Sequence, residues 1–305
     1  MIKFSHMKNI STIFVFLLLM SSCKAKDIID FNDGDDDFFG DVDSLPFAPA
    51  NETSNYNSFL VPKKPIGSQK PNSNYVSNVY FKPSSFGLYE RKRKVLKAAK
   101  NANTETKRSF IKKIGLELAA QNSKLLEYNY TISQLKNKLK SRKQLTQSEA
   151  AWLKKLANKY KFVSFNPNSL VDLNYLDTRV GVIPESLGIA QAAIESSWGK
   201  SRFSRQGNNY FGQWCFRKGC GMVPARRDKG KIHEVKSFKS PAEAVEAYIH
   251  NLNTHSAYKN FRLARKNLGA KASGYKLSNY LDKYSAKGSK YGEIVRSIIK
   301  KNNLE

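Results

Sequence analysis

Apolar residues keep one period over most of this chain and lose it in two places. Between Leu88 and Lys161, Phe110, Ile111, Ile114, Leu116, Leu118, Leu125 and Leu126 recur every three or four positions with Lys and Glu between them, the spacing that lays a stripe along one helix face. Two or three amphipathic helices are expected there. Thr146-Gln-Ser-Glu149 has capping-box spacing and opens another helix ahead of Trp152, Leu153 and Leu156. Further on, Pro184 suits a first helical turn. Leu187, Ala190, Ile194 and Trp198 give that helix a buried stripe, and Gly199 stops it.

The period first breaks from 213 to 239, where Gly219, Gly221, Pro224 and Gly230 punctuate short β-type stretches such as Ile232 to Val235. A small hairpin lobe is predicted there. Helix resumes at Ser240-Pro-Ala-Glu243, continues through Val245, Tyr248 and Leu252, and returns at about 260–267, 276–284 and 290–301. The fold class that follows is mainly α, an α+β domain of helices carrying one small β lobe.

The second break is N-terminal. Lys3 and Lys8 precede the apolar run Ile13 to Met20, and Ser21 and Ser22 lead to Cys23, the layout of a signal peptide over 1–22. That run is far shorter than the roughly 20 residues a membrane-spanning helix needs. Leu19-Met20-Ser21-Ser22-Cys23 is also similar to a bacterial lipobox, with Met20 where Leu, Val or Ile is usual, which makes Cys23 the expected lipidation site. Ordinary secretion with cleavage near Cys23 is the alternative. Residues 23–88 are rich in Asp, Asn, Ser and Pro and hold too little apolar surface to offset ordering entropy, so a disordered tether is expected. Its Asp33-Gly-Asp-Asp-Asp37 cluster lacks the spaced ligands and final Glu of a calcium loop and reads as solvated tail.

Charge and cysteines narrow the partners. The net charge is +27, yet the leading segment is acidic, with eight Asp by residue 43, and the rest carries the basic excess. A body this basic suits a polyanion. For an exported chain the available ones are anionic envelope polymers, and no nucleic-acid-binding motif accompanies the charge, so nucleic acid is not expected. A solvated Lys-rich surface is the plainer reading. Cys215 and Cys220 are permitted a disulfide by export, and so short a loop would pin a local turn. There is no second cysteine pair and no matching histidine pair for structural zinc, so neither a metal nor a cofactor is expected.

The carboxylate with the most suggestive surroundings is Glu195, between Ile194 and Trp198, one turn after Gln191 and near a helix C-terminus. Desolvation and the negative end of the helix both raise a carboxyl pKa, as a general acid working at neutral pH requires. By spacing alone, a helix-end Glu is more often a surface residue.

Two motifs change that balance. Gln191-Ala-Ala-Ile-Glu-Ser-Ser-Trp-Gly199, led by Pro184, and Gln206-Gly-Asn-Asn-Tyr-Phe-Gly212 resemble the two signatures of the glucosaminidase domain of glycoside hydrolase family 73. Trp214-Cys215-Phe216 with Cys220, Tyr248 to His255, Ala257-Tyr258 and Tyr284 to Gly288 are similar to its Bax-type branch. The likeness runs from about residue 90 to the C-terminus.

The resemblance implies a lysozyme-like helical domain with a small β lobe, a sugar groove between them, and hydrolysis of the β-1,4 bond between N-acetylglucosamine and N-acetylmuramic acid. Its proton donor falls on Glu195. The domain plan becomes signal peptide 1–22, tether 23–88, N-terminal helices 89–160 packing on the catalytic domain, and catalytic domain 161–305. Peptidoglycan glycan strands are the implied partner. The implied location is the cell envelope, periplasm or outer membrane, with membrane contact only through the N-terminal lipid.

A glycosidase also needs a group to stabilise the anomeric cation or activate water. Glu234, in the predicted β lobe, is the expected catalytic partner, with Asp228 and the substrate's own 2-acetamido group as alternatives. Tyr210, Tyr258, Tyr284 and Asn208 are candidates for substrate binding. Core packing for the tyrosines and a turn role for Asn208 are the competing readings. Trp198 and Phe211 are read mainly as core.

Other chemistry is poorly supported. His233, His250 and His255 form no His-Glu-x-x-His motif for a zinc amidase or peptidase, and the nearness of Cys220 to Cys215 favours a disulfide over a nucleophilic thiol. A non-catalytic wall-binding protein keeping the same groove is the alternative from a different class.

Overall fold

The computed structural model describes residues 83–225, 227 and 230–305. The expected signal peptide, Cys23, the tether as far as residue 82, and Asp228 lie outside the described residues. What is described is mostly helical with one small antiparallel sheet, as the apolar periodicity implies.

The periodic stretch folds as α1 (Pro83–Lys100) and the 36-residue α2 (Glu105–Lys140). Helix α1 starts inside the segment expected to be tether, with Pro83 as its first residue, where a missing N–H breaks no helical hydrogen bond. By backbone contacts the described chain forms two compact units, 83–92 with 120–182, and 93–119 with 183–305, so that both α1 and α2 are divided between them.

The first unit contains the second part of α2, then α3 (Gln147–Lys159) and α4 (Leu170–Arg179). Its core includes Leu125, Ile132, Trp152, Leu156, Leu173 and Leu176, with Tyr128 and Trp152 edge to face. The capping box forms as its spacing predicts: Glu149 N–H donates to Thr146 Oγ1 at 3.2 Å and Thr146 N–H donates to Glu149 Oε2 at 2.6 Å. Lys138 Nζ donates to both oxygens of the same carboxylate, tying α2 to the start of α3.

The second unit is built on α5 (Glu185–Ser196), nearly all of which is buried. A helix apolar on all sides belongs inside a core. Helices α9 (Gly274–Leu277) and α10 (Ser289–Lys301) pack against it, and α10 buries Tyr291, Val295 and Ile299. Between α5 and α9 the chain forms α6 (Arg202–Gly207), three short strands, α7 (Pro241–Thr254) and α8 (Lys259–Leu268). Ser240 caps α7 with Pro241 in its first turn, as the sequence indicates.

The β lobe is a three-stranded sheet instead of a single hairpin. Strands β1 (Trp214–Cys215) and β2 (Gly221–Met222) both pair antiparallel with β3 (Glu234–Lys236), giving the order β1-β3-β2. Cys215 lies opposite Glu234 in this register. The third strand is therefore central, and its acidic residue faces the loop between the other two.

Candidate active site

Helix α5 ends at Ser196, so Glu195 occupies its last turn, as expected from sequence. The expected stripe through Trp198 does not continue as helix: Ser197, Trp198 and Gly199 have φ of 51°, 58° and 76°, three successive left-handed residues. For a bulky Trp this conformation is costly, and the surroundings hold it. The hydroxyl of the buried Ser196 donates to Ala192 O at 2.6 Å and accepts from Gly199 N–H at 2.9 Å. The Trp198 ring sits edge-on against Phe110 beneath Lys107 Nζ. The Glu-Ser-x-Trp-Gly run is thus a tight chain reversal that leaves Glu195 at the helix rim.

Glu195 is half-buried, and desolvation pushes its carboxyl up from 4.5 to about 7, against the opposing effects of the Tyr291 hydrogen bond and the Lys287 charge. Tyr291 OH donates to Oε1 at 2.8 Å. The other oxygen, Oε2, faces Gly212, where an added Cβ would lie 3.2 Å away. Gly212 also has φ +67°, a conformation glycine adopts without steric penalty, so two independent constraints favour glycine at the end of the Asn-x-Phe-Gly segment.

Behind the carboxyl lies a buried polar chain. Gln191 Nε2 donates to Tyr291 OH at 3.3 Å, and Tyr248 OH donates to Gln191 Oε1 at 2.7 Å. Tyr248 stacks on Phe211 with centroids 4.0 Å apart. Tyr284 stacks on Tyr291 and donates its hydroxyl to Phe211 O at 3.1 Å.

The expected substrate residues divide. Tyr284 and Tyr258 lie within electrostatic reach of Glu195, whose charge adds to burial in raising both phenols. Tyr284 is half-buried and Tyr258 fully buried. Tyr210 is buried with its ring edge-on to Phe110. Asn208 caps α6 in the left-handed conformation and donates to Phe238 O at 3.0 Å, while Asn209 donates to Gln213 O and Lys236 O and accepts from Gln213 N–H. The two asparagines tie the motif to the β lobe.

Glu234 is buried in the lobe. Its Oε1 accepts from Gly219 N–H at 3.0 Å and its Oε2 from Gly221 N–H at 2.8 Å. These amides hold its carboxyl below the usual range, helped by the Arg227 charge. Gly219 lies in the loop closed by a Cys215–Cys220 disulfide, Cα to Cα 6.2 Å, and Gly221 opens β2 directly after it. The sulfurs also lie near the Glu234 carboxylate, but bonded to each other they are not thiolate ligands.

Tyr291, Tyr248, Lys287 and Gly212 were not singled out as site residues from sequence. Tyr291 and Tyr248 did carry a signal: each lies on the apolar stripe of a helix, and a tyrosine buried there needs a partner for its hydroxyl.

The sequence model of the glucosaminidase family, described as mannosyl-glycoprotein endo-beta-N-acetylglucosaminidase, matches residues 172–304. Protein bax of Escherichia coli (strain K12) is 32% identical over 205 residues, covering 66% of this chain and 71% of that protein. No solved structure matches significantly.

Proposed function

Because the chain belongs to the glucosaminidase family, a family of glycan-cleaving domains, we propose that it hydrolyses the β-1,4 bond between N-acetylglucosamine and N-acetylmuramic acid in peptidoglycan, with Glu195 as general acid. The observation that carries the assignment is the desolvated Glu195 carboxyl, poised near pH 7 with one oxygen engaged by Tyr291 and the other facing a glycine. Such an acid is protonated in a useful fraction at neutral pH and can deliver its proton to the glycosidic oxygen as the bond breaks.

For the second group we favour the substrate's 2-acetamido oxygen, which attacks the anomeric carbon while Glu195 protonates the leaving oxygen. Water then opens the resulting oxazolinium ring, with Glu195 taking the proton back as base. This reading is supported by the double engagement of the Glu234 carboxylate by backbone amides, which suits a clamp on the disulfide loop better than a base that must bind water. The ring of the half-buried Tyr284, close to Glu195, is available to orient the acetamido group, with the fully buried Tyr258 packed against it. A peptidoglycan substrate also carries the proposal of export to the envelope, with which the Cys215–Cys220 disulfide is compatible.

Zymography on purified peptidoglycan tests the activity. The wild type should clear the substrate and Glu195→Gln should not. Mass analysis of the digest should find reducing N-acetylglucosamine ends. Reducing muramic ends would overturn the bond assignment, and an undiminished band from Glu195→Gln would overturn the acid.

A further inference from the structure

The contacts around Glu195 form a closed circuit. From Oε1 it passes to Tyr291 OH, to Gln191 Nε2, through that amide to Oε1 of Gln191 and to Tyr248 OH. From the Tyr248 ring it passes to the stacked Phe211, and the next residue, Gly212, faces Oε2 of Glu195. Three helices supply it: α5 gives Gln191 and Glu195, α7 gives Tyr248, and α10 gives Tyr291. Gln191 and Tyr248 are fully buried and Tyr291 nearly so. The geometry points to Gln191 and Tyr248 as positioning residues for the acid: together they commit the Tyr291 hydroxyl to donate to Oε1, and so reserve Oε2 for the transferable proton.

Tyr291 has a single hydroxyl proton, and two acceptors are within its reach, Glu195 Oε1 and whatever atom Gln191 presents. A glutamine amide presents N–H₂ on one side and C=O on the other. Tyr248 donates to the carbonyl side, so the amine faces Tyr291 and leaves it no acceptor other than Glu195. With the amide turned over, Tyr291 would face a carbonyl and its proton would be drawn from Glu195. Tyr248, with Tyr291 and Gln191 between it and the carboxyl, therefore sets the direction of the chain, since a turned amide would leave its buried hydroxyl proton without the Gln191 acceptor. The polarity is the same whether Glu195 is ionised or protonated, since Oε1 accepts in both states. Burial makes the direction matter, because a misdirected donor inside the core has no water to replace its partner.

The inference rests on Glu195 being the acid, but its test need not. The groups acting on Glu195 are Tyr291 and Lys287, its charge in turn raises the Tyr258, Tyr284 and Tyr291 phenols, and the substitutions below leave Lys287, Tyr284 and Tyr258 in place. Glutamate is labelled at its carboxyl carbon in the full chain, the Glu195 resonance is assigned by its loss in Glu195→Gln, and its titration is followed by NMR without substrate. Tyr291→Phe removes the donor outright and should move the midpoint upward by roughly one pH unit or more, the worth of a hydrogen bond to a charged group.

Tyr248→Phe keeps the ring stacked on Phe211, removes only a distant hydroxyl, and should move the midpoint the same way by roughly half a unit. Gln191→Met should resemble Tyr248→Phe, and an unchanged circular dichroism spectrum selects the variants to compare. An unmoved midpoint in Tyr248→Phe beside a moved one in Tyr291→Phe overturns the role given to Gln191 and Tyr248, and an unmoved midpoint in both overturns the whole circuit. Failure of the acid assignment looks different: these shifts occur, yet Glu195→Gln remains fully active on peptidoglycan.

Discussion

Replacing Glu195 by Gln should make the protein more stable, but only at high pH. In the folded chain the carboxyl sits at about 7 in place of 4.5 because burial penalises its charge. The folded state therefore holds a proton that the unfolded state releases between those values, and stability falls as pH rises through that window. Below pH 4.5 both states are protonated and no penalty exists; above pH 7 both are ionised and the folded state bears all of it. The displacement corresponds to about 3 kcal/mol at about 1.4 kcal/mol per unit, which solvent at the half-buried side chain reduces to roughly 2 kcal/mol.

Gln keeps an oxygen for Tyr291 to donate to and carries no charge at any pH. Thermal melts of wild type and Glu195→Gln should coincide near pH 4 and separate to roughly 4–8 °C by pH 8, with the variant higher. A separation that is the same at both pH values, or a variant less stable at pH 8, would refute the claim that a desolvated charge is being held at this site. The same variant should lose activity on peptidoglycan in zymograms, the trade expected where an active site stores an unfavourable charge.

Glu234→Gln separates the loop clamp from a catalytic base. Gln can accept from only one of the two amides through its carbonyl, so proteolysis should quicken within 216–233 while kcat falls less than about tenfold, whereas loss of a base costs roughly 10² to 10⁴. Gly212→Ala places a Cβ against Oε2 in a φ that disfavours it; kcat should fall by roughly 10²-fold with KM little changed, measured on soluble glycan fragments. Thr146→Ala removes the cap of α3 and should lower stability by about 1 kcal/mol in urea titrations while leaving kcat at the wild-type value.

The parts of the fold legible in the sequence were those set by local chemistry. Thr146 and Glu149 cap α3 because a hydroxyl and a carboxylate three residues apart reach each other's backbone N–H wherever the helix lies. Ser240 and Pro241 fix the start of α7 by the same kind of reasoning. Where tertiary contacts decide, the sequence misleads: Trp198 sits at helical spacing from Ile194 but adopts a left-handed φ, because Ser196, Phe110 and Lys107 together stabilise a reversal that local propensity opposes.

The proposed acid and the partner expected from sequence, Glu234, differ in legibility for a related reason. What raises Glu195 is burial at the end of α5, a helix that is nearly all core, so part of its desolvation is legible from its neighbours in sequence. The state of Glu234 is set by the amides of Gly219, in the loop that Cys215 and Cys220 close, and of Gly221, at the start of β2. Alternation along β3 fixes which face the side chain takes, but it says nothing about which N–H groups a neighbouring loop turns toward that face. To act as a base on water, this carboxylate would have to share its oxygens with amides whose charge-assisted hydrogen bonds also order the lobe. Glu195 meets no such competition at Oε2, since the residue facing that oxygen is a glycine.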